Sequence, residues 1–191
     1  MDMTTHQLLS QPAEVVAPLL LGSTLERRIG NEIIRVKIVE TEAYDQTDAA
    51  SHSYKGETPR TNVMFGPAGN LYVYFTYGMH YCCNVVTGKE GEGAAVLIRA
   101  VEPLEGEEYM IEQRHITGLE LCNGPAKLCQ ALSIDKQLNG HDLGSRPLTL
   151  QLLQPLPREQ ITQTTRIGIT KATDKPWRFY ISRNPYVSRY E

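Results

Sequence analysis

The chain has 191 residues, 41% of them hydrophobic and 21% charged, with a net charge of −3. That composition belongs to an ordinary globular domain, long enough to bury a core without disulfide or metal staples, and it excludes disordered and collagen-like classes. The longest apolar run near the start, Val15 to Leu21, is broken by Pro18 and is far too short to cross a bilayer, which argues against a membrane span.

No basic leader with a cleavage site precedes that run, so the expected location is cytoplasmic, nucleoid-associated if the source is bacterial. With no internal repeat or low-complexity stretch, residues 1–191 are expected to form a single domain. The four cysteines, Cys82, Cys83, Cys122 and Cys129, contain no Cys-x-x-Cys pair, and buried reduced thiols are expected rather than a zinc site or disulfide framework. Charge is unevenly spread: Arg158 to Glu191 carries seven basic residues against three acidic, a net +4 that leaves −7 for the rest. Such a segment can neutralise phosphates locally on an acidic body, or can simply be a solvated surface.

In chain order, residues 1–10 are expected to fray. Ser10, Pro12 and Glu14 predict a helix start, Pro18 a kink or end, and Gly22 its close. Leu25–Arg28 and Ile33–Tyr44 read as strands joined across Gly30-Asn31. The second strand carries the strongest chemical signal. With period 2, Ile34, Val36, Ile38, Glu40, Glu42 and Tyr44 share a face, so three aliphatics are followed by two carboxylates and a phenol. Either the strand leaves the core at Glu40 and the acids are solvated, or it carries partly buried carboxylates that need a partner or a task.

Residues 45–70 are polar and rich in turn formers. So long a loop is usually functional or disordered, and its His52, Tyr54, Arg60, Met64 and Phe65 are enough to order it, which favours the wall of a site. Residues 71–86 read as two strands about Tyr77-Gly78-Met79-His80. Tyr72, Tyr74 and Thr76 face one way, and the large side chains of the tip either form a binding surface or pack against the long loop. Ala94–Ala100 reads as a buried strand containing Arg99, which needs an acidic partner, Glu40 and Glu42 being the candidates. Glu105–Arg114 and Gly124–Leu132 read as helices, the latter with Lys127 near an end able to hold a phosphate or merely to be capped. Leu148–Leu153, Arg166–Ile169 and Arg178–Ile181 read as strands. The expected class is α+β, a curved, mainly antiparallel sheet with surrounding helices and a protruding β-hairpin.

Several ordered blocks then carry a resemblance: VETEAY (39–44), DAASH (48–52), MFGPAG (64–69), YVYFTYGMHYCCNVV (72–86), VLIRAVEP (96–103), GPAKLCQAL (124–132), and RIG with WRFY (166–180). From about Leu19 to Arg189 the sequence resembles the alkyladenine or 3-methyladenine DNA glycosylase family. The resemblance implies a monomer acting on double-stranded DNA, removing damaged purines by hydrolysis without metal or cofactor and without strand cleavage. It implies Glu42 as general base, and Arg99 as the group holding the attacking water together with a main-chain carbonyl near Ile167 or Ile169. Tyr44, His52 and Tyr74 become the walls of the base pocket, Asn84 the group that rejects guanine, and Tyr77 the wedge that fills the duplex. Lys127, Arg166, Lys171 and Arg178 are expected phosphate contacts. Asp45-Gln46 and Thr61 depart from the pattern of many relatives and put substrate range in question. A non-catalytic damage-binding module on the same scaffold is the alternative.

Overall fold

The structure, a computed structural model, describes residues 1–76 and 78–188. The amino terminus does not fray. Met3–Leu9 forms a helix, α1, because Asp2 caps it, accepting from the Thr5 N–H at 2.8 Å, and because Leu9 is anchored in the core. The Gly88 N–H bonds the carbonyls of Leu9 and Gln11, tying this end to the far side of the sheet. The helix read from Pro12 is α2, Ala13–Leu19, with Pro18 in its last turn. It buries Ala13, Val16 and Ala17.

Strands β1 (Thr24–Ile29) and β2 (Glu32–Tyr44) form the hairpin read across Gly30-Asn31. A second hairpin joins β3 (Leu71–Thr76) to β4 (His80–Val86), and β5 runs from Ala95 to Glu105. Helices α3 (Glu107–Arg114) and α4 (Pro125–Ala131) follow, then β6 (Leu148–Gln151), β7 (Ile161–Thr164) and β8 (Arg178–Ile181). Among the described residues these strands make one antiparallel sheet in the order β3-β4-β5-β2-β1-β6, with β8 pairing β2 and β7 pairing β8. Arg166–Ile169, read as a strand, is a loop. Arg166 is drawn off the sheet toward Asp48, and Gly168 turns the chain with φ +73°, a conformation that favours glycine.

The central strand departs from simple alternation. Against β5 its register slips at Val39, since Ile38 faces Val101 and Glu40 faces Ala100; a compensating slip leaves Arg99 unpaired, since Thr41 faces Ile98. One extra residue in a strand reverses its parity. Before Val39 the even residues Ile34, Val36 and Ile38 lie in the main core. After it, Ala43 lies there and Thr41 donates to the Ala17 carbonyl of α2 at 2.9 Å. Each fully buried aliphatic contributes roughly 1.5–3 kcal/mol. Glu40, Glu42 and Tyr44 therefore do not continue the face of Ile34, Val36 and Ile38; the bulge sends them to the opposite one. It sits where β2 exchanges its outer neighbour, β1 pairing up to Lys37 and β8 from Glu40 onward.

On that second face the long loop is ordered by two 3₁₀ turns, His52–Lys55 and Asn62–Phe65. Met64 packs with Tyr72, Val86 and Ala95 in a small separate cluster, against which Val63, Phe65 and Tyr74 rest. The Ser53 hydroxyl ties the loop to the Gly93 carbonyl at 2.6 Å. All four cysteines are buried, and no helix among the described residues is long and apolar enough to cross a membrane.

Candidate active site

Sheet register lays the site out as a row. Tyr72 of β3 lies opposite Asn84 of β4, Asn84 opposite Leu97 of β5, Leu97 opposite Glu42 of β2, and Glu42 opposite Arg178 of β8. Directly paired residues share a face, so residues more than a hundred positions apart are brought to one surface.

Glu42 is fully buried, and three donors converge on it. The Ile167 N–H donates to Oε1 at 2.8 Å, the Tyr44 hydroxyl to Oε2 at 2.8 Å, and Arg99 Nη1 to Oε2 at 3.4 Å. Burial, then the charge and hydrogen bond of Glu42, push the Tyr44 phenol far above its ordinary range, so it stays protonated and donating. A carboxylate offers about four acceptor positions. Glu42 therefore retains capacity for one further donor.

Arg99 bridges the two acids of β2, its Nε on Glu40 at 3.1 Å and its Nη1 on Glu42 at 3.4 Å. Burial works against its charge, but Glu42 and then Glu40 outweigh that and raise its pKa. Both expected partners are thus engaged. Arg178, expected at a phosphate, is instead turned inward onto Glu40 Oε1 at 2.6 Å. Arg166 is likewise not available to a phosphate. Its side chain is wholly buried, paired with both oxygens of Asp48, and it donates to the carbonyls of Ala43 at 2.9 Å and Ala172 at 3.2 Å. Its guanidinium also lies 4.5 Å from the centre of the Tyr44 ring and 5.4 Å from that of Trp177. One ion pair thereby fixes the Tyr44 ring and the loop that delivers the Ile167 N–H. A buried arginine must be paired, and basic count along the segment could not show that two of its members were already committed.

Above Glu42 opens a cleft of about 600 Å³, lined by Tyr44, His52, Tyr72, Tyr74, Asn84 and Arg99 together with Met64, Cys82, Leu97 and the 167–171 loop. Glu42 stands just behind this wall, touching Tyr44, Arg99 and Ile167. Tyr72 and Tyr74 tilt at 30° with centroids 5.7 Å apart, and His52 meets Tyr74 edge-on at 4.5 Å. His52 Nδ1 lies 3.1 Å from the Tyr72 hydroxyl. Asn84 donates from its amide to the Tyr72 carbonyl at 3.0 Å, which fixes the amide's orientation. Met64, expected in the loop that walls a site, does line the cleft, whereas no site role is read from the sequence for Tyr72, Cys82 or Asp48. Period 2 already placed Tyr72 beside Tyr74, but nothing local marked Asp48.

His52 stays exposed at the rim, yet crowding by its neighbours, with the Arg60 charge adding, lowers its pKa below the ordinary 6.5. A histidine held neutral in the fold binds fewer protons there than in the unfolded chain. Its contribution is complete above the unfolded pKa and is lost as pH falls below about 6.5. Stability measured by denaturant should therefore decline from pH 7 to pH 5, and His52→Gln should flatten that decline. An unchanged slope would show that His52 is not the group responsible.

Lys171 lines the cleft and is exposed, whereas Lys127 is engaged with Glu120 and with the Asn123 side chain at 2.7 Å and does not line it. Tyr77 lies outside the described residues; beside its position, Gly78 (φ +70°) and an exposed Met79 form the turn of the hairpin. Among the described residues no group of three or more His, Cys, Asp or Glu is placed to hold a metal ion.

The sequence model of the methylpurine-DNA glycosylase family matches residues 7–185. A protein of Carboxydothermus hydrogenoformans is 50% identical over 186 residues, covering 96% of this chain and 97% of its own. One of Methanoculleus marisnigri is 51% identical, covering 91% and 92%, and one of a Synechococcus species is 44% identical, covering 98% and 100%. All three bear the provisional name 3-methyladenine DNA glycosylase.

Proposed function

The chain belongs to the methylpurine-DNA glycosylase family, and from that premise we propose that it turns alkylated or deaminated purines out of duplex DNA and hydrolyses their N-glycosidic bond. The lesions proposed are 3-methyladenine, 7-methylguanine, hypoxanthine and ethenoadenine. The observation that carries the reading is the buried Glu42 carboxylate, held by three donors beneath an aromatic cleft and left with one acceptor position.

A base within a duplex cannot reach such a cleft, so the nucleotide is extruded at a cost of a few kcal/mol, smallest for damaged or mispaired bases. Tyr77 is proposed as the side chain that fills the vacated stack. In the cleft, stacking on rings such as Tyr44 and Tyr74 contributes roughly 1–3 kcal/mol per base, and a cationic alkylated purine gains further from their electron-rich faces. Asn84 is proposed to reject guanine. Glu42 takes a proton from water as the water oxygen bonds to the anomeric carbon; the purine nitrogen leaves with the bond's electron pair, giving free base and an abasic site. Arg99 holds the attacking water with a main-chain carbonyl of the 167–169 loop, and the negative charge of Glu42 favours the cationic sugar. Lys171 and Lys127 remain proposed phosphate contacts. The reaction is proposed to need no cofactor or metal and to be carried out by a monomer in the cytoplasm.

The test is release of free base from duplex oligonucleotides bearing one hypoxanthine or one ethenoadenine, and from methylated DNA. Release without a borohydride-trapped protein–DNA adduct is the expected result. An adduct would make Lys171, on the cleft wall, the first lysine to suspect as a nucleophile, and would end the purely hydrolytic reading. Tight damage binding with no release from any substrate would establish the binding-module alternative.

A further inference from the structure

We propose that Glu40 is a positioning residue of this reaction: it holds one edge of Arg99, divides that cation between two carboxylates, and so leaves Glu42 as the proton acceptor. The inference rests on the glycosylase reading above and adds a residue to it. The two acids are two positions apart on β2, fully buried, and share one arginine, yet their surroundings differ. Glu40 receives Arg99 Nε at 3.1 Å, Arg178 Nε at 2.6 Å, the Ser188 N–H at 2.7 Å and the Ser188 hydroxyl at 2.8 Å. Three of these donors crowd Oε1 and the Ser188 N–H takes Oε2, so Glu40 carries four donors, two of them arginines, against the three on Glu42. Glu42 receives three donors, the Arg99 bond being the longest at 3.4 Å, and keeps room for water. Two carboxylates in one site separate into two roles by environment: one spectator and one base.

The electrostatics give the proposal a sign. Glu40 and Glu42 face two cations, Arg99 from β5 and Arg178 from β8. The remaining titratable groups around them are Tyr44 on β2, the Cys82 thiol on β4, Arg166 over the Tyr44 ring balanced by Asp48, and Lys171 on the cleft wall. Removing the Glu40 charge leaves both arginines to Glu42 alone, which weakens it as a base. Removing the Arg178 charge turns Glu40 more fully onto Arg99, draws that cation away from Glu42, and strengthens its hold on a proton. A residue that merely supported the fold would not produce opposite effects from these two changes.

The experiment is the pH dependence of single-turnover base release from a hypoxanthine duplex for wild type, Glu40→Gln and Arg178→Gln, with melting temperature and duplex binding measured alongside. The acid limb should move down by roughly one pH unit in Glu40→Gln, with a lower plateau rate, and upward in Arg178→Gln. Limbs that superimpose on wild type, or that move in the same direction, would overturn the proposal. Should Glu40→Gln fail to fold, the direction of the Arg178→Gln shift decides alone. Wild type that releases no base would instead remove the glycosylase reading itself, whereas active wild type with coincident limbs removes only this inference.

Discussion

Glu42→Gln should lower the single-turnover rate of purine release by about 10²–10⁴-fold, the usual contribution of a positioned general base, while binding of damaged duplex persists. The substitution is nearly isosteric. Its amide oxygen can still accept from Tyr44 and Arg99 or from the Ile167 N–H, so the wall of the cleft stays in place. On the proposed mechanism, what is lost is the ability to take a proton from water and the negative charge beneath the developing cationic sugar. The loss should be smallest for purines alkylated at N3 or N7, whose positive charge already weakens the glycosidic bond, and largest for hypoxanthine and ethenoadenine. Equal release by wild type and variant on every lesion would show that Glu42 is not the base.

Asp48→Ala should cost about 3–5 kcal/mol of stability, because it strands the fully buried Arg166 guanidinium without its counter-charge. For a chain of this size that corresponds to a melting temperature lower by on the order of 10 °C. Carbonyls of Ala43 and Ala172 still accept from Arg166, but dipoles do not replace a carboxylate against a buried charge. Activity should fall even at temperatures where the variant is folded. Arg166 packs on the Tyr44 ring and anchors the loop whose Ile167 N–H holds Glu42. A melting temperature within about 2 °C of wild type would mean that the loop repacks around Arg166 without needing the pair. Lost stability with a full excision rate in the folded variant would mean that the pair supports the fold and not the chemistry.

These two residues differ in how readable they were. Glu42 stands in a strand whose alternation changes character, and Arg99 stands alone in an aliphatic run; both are anomalies within a short window, and together they predicted the ion pair that forms. The hairpin about Gly78, the ordered 45–70 loop and the helices at Glu107–Arg114 and Pro125–Ala131 follow from equally local rules of turn chemistry and periodicity. Asp48 looks like any other polar residue of a loop, and Arg166 like one more member of a basic segment. Only their meeting across 118 positions shows what either does.

The sequence by itself determined the class of fold, the elements around the site and, through ordered blocks spanning most of the chain, the family to which it belongs. Tertiary structure decided the face to which the two acids of β2 turn. Strict alternation sets Glu40 and Glu42 on the side of Ile34 and Ile38, but the bulge at Val39, placed where β2 exchanges β1 for β8, reverses the parity and turns both acids to the opposite face, beneath the side on which the cleft opens. It also decided which cations are free. Arg166 and Arg178 lie within a basic stretch, yet each is turned inward onto a buried carboxylate, while Lys171 lines the cleft. The physical reason is the same in both cases. A one-residue slip and a long-range ion pair are set by the neighbours a strand or side chain meets, and those neighbours lie far away along the chain.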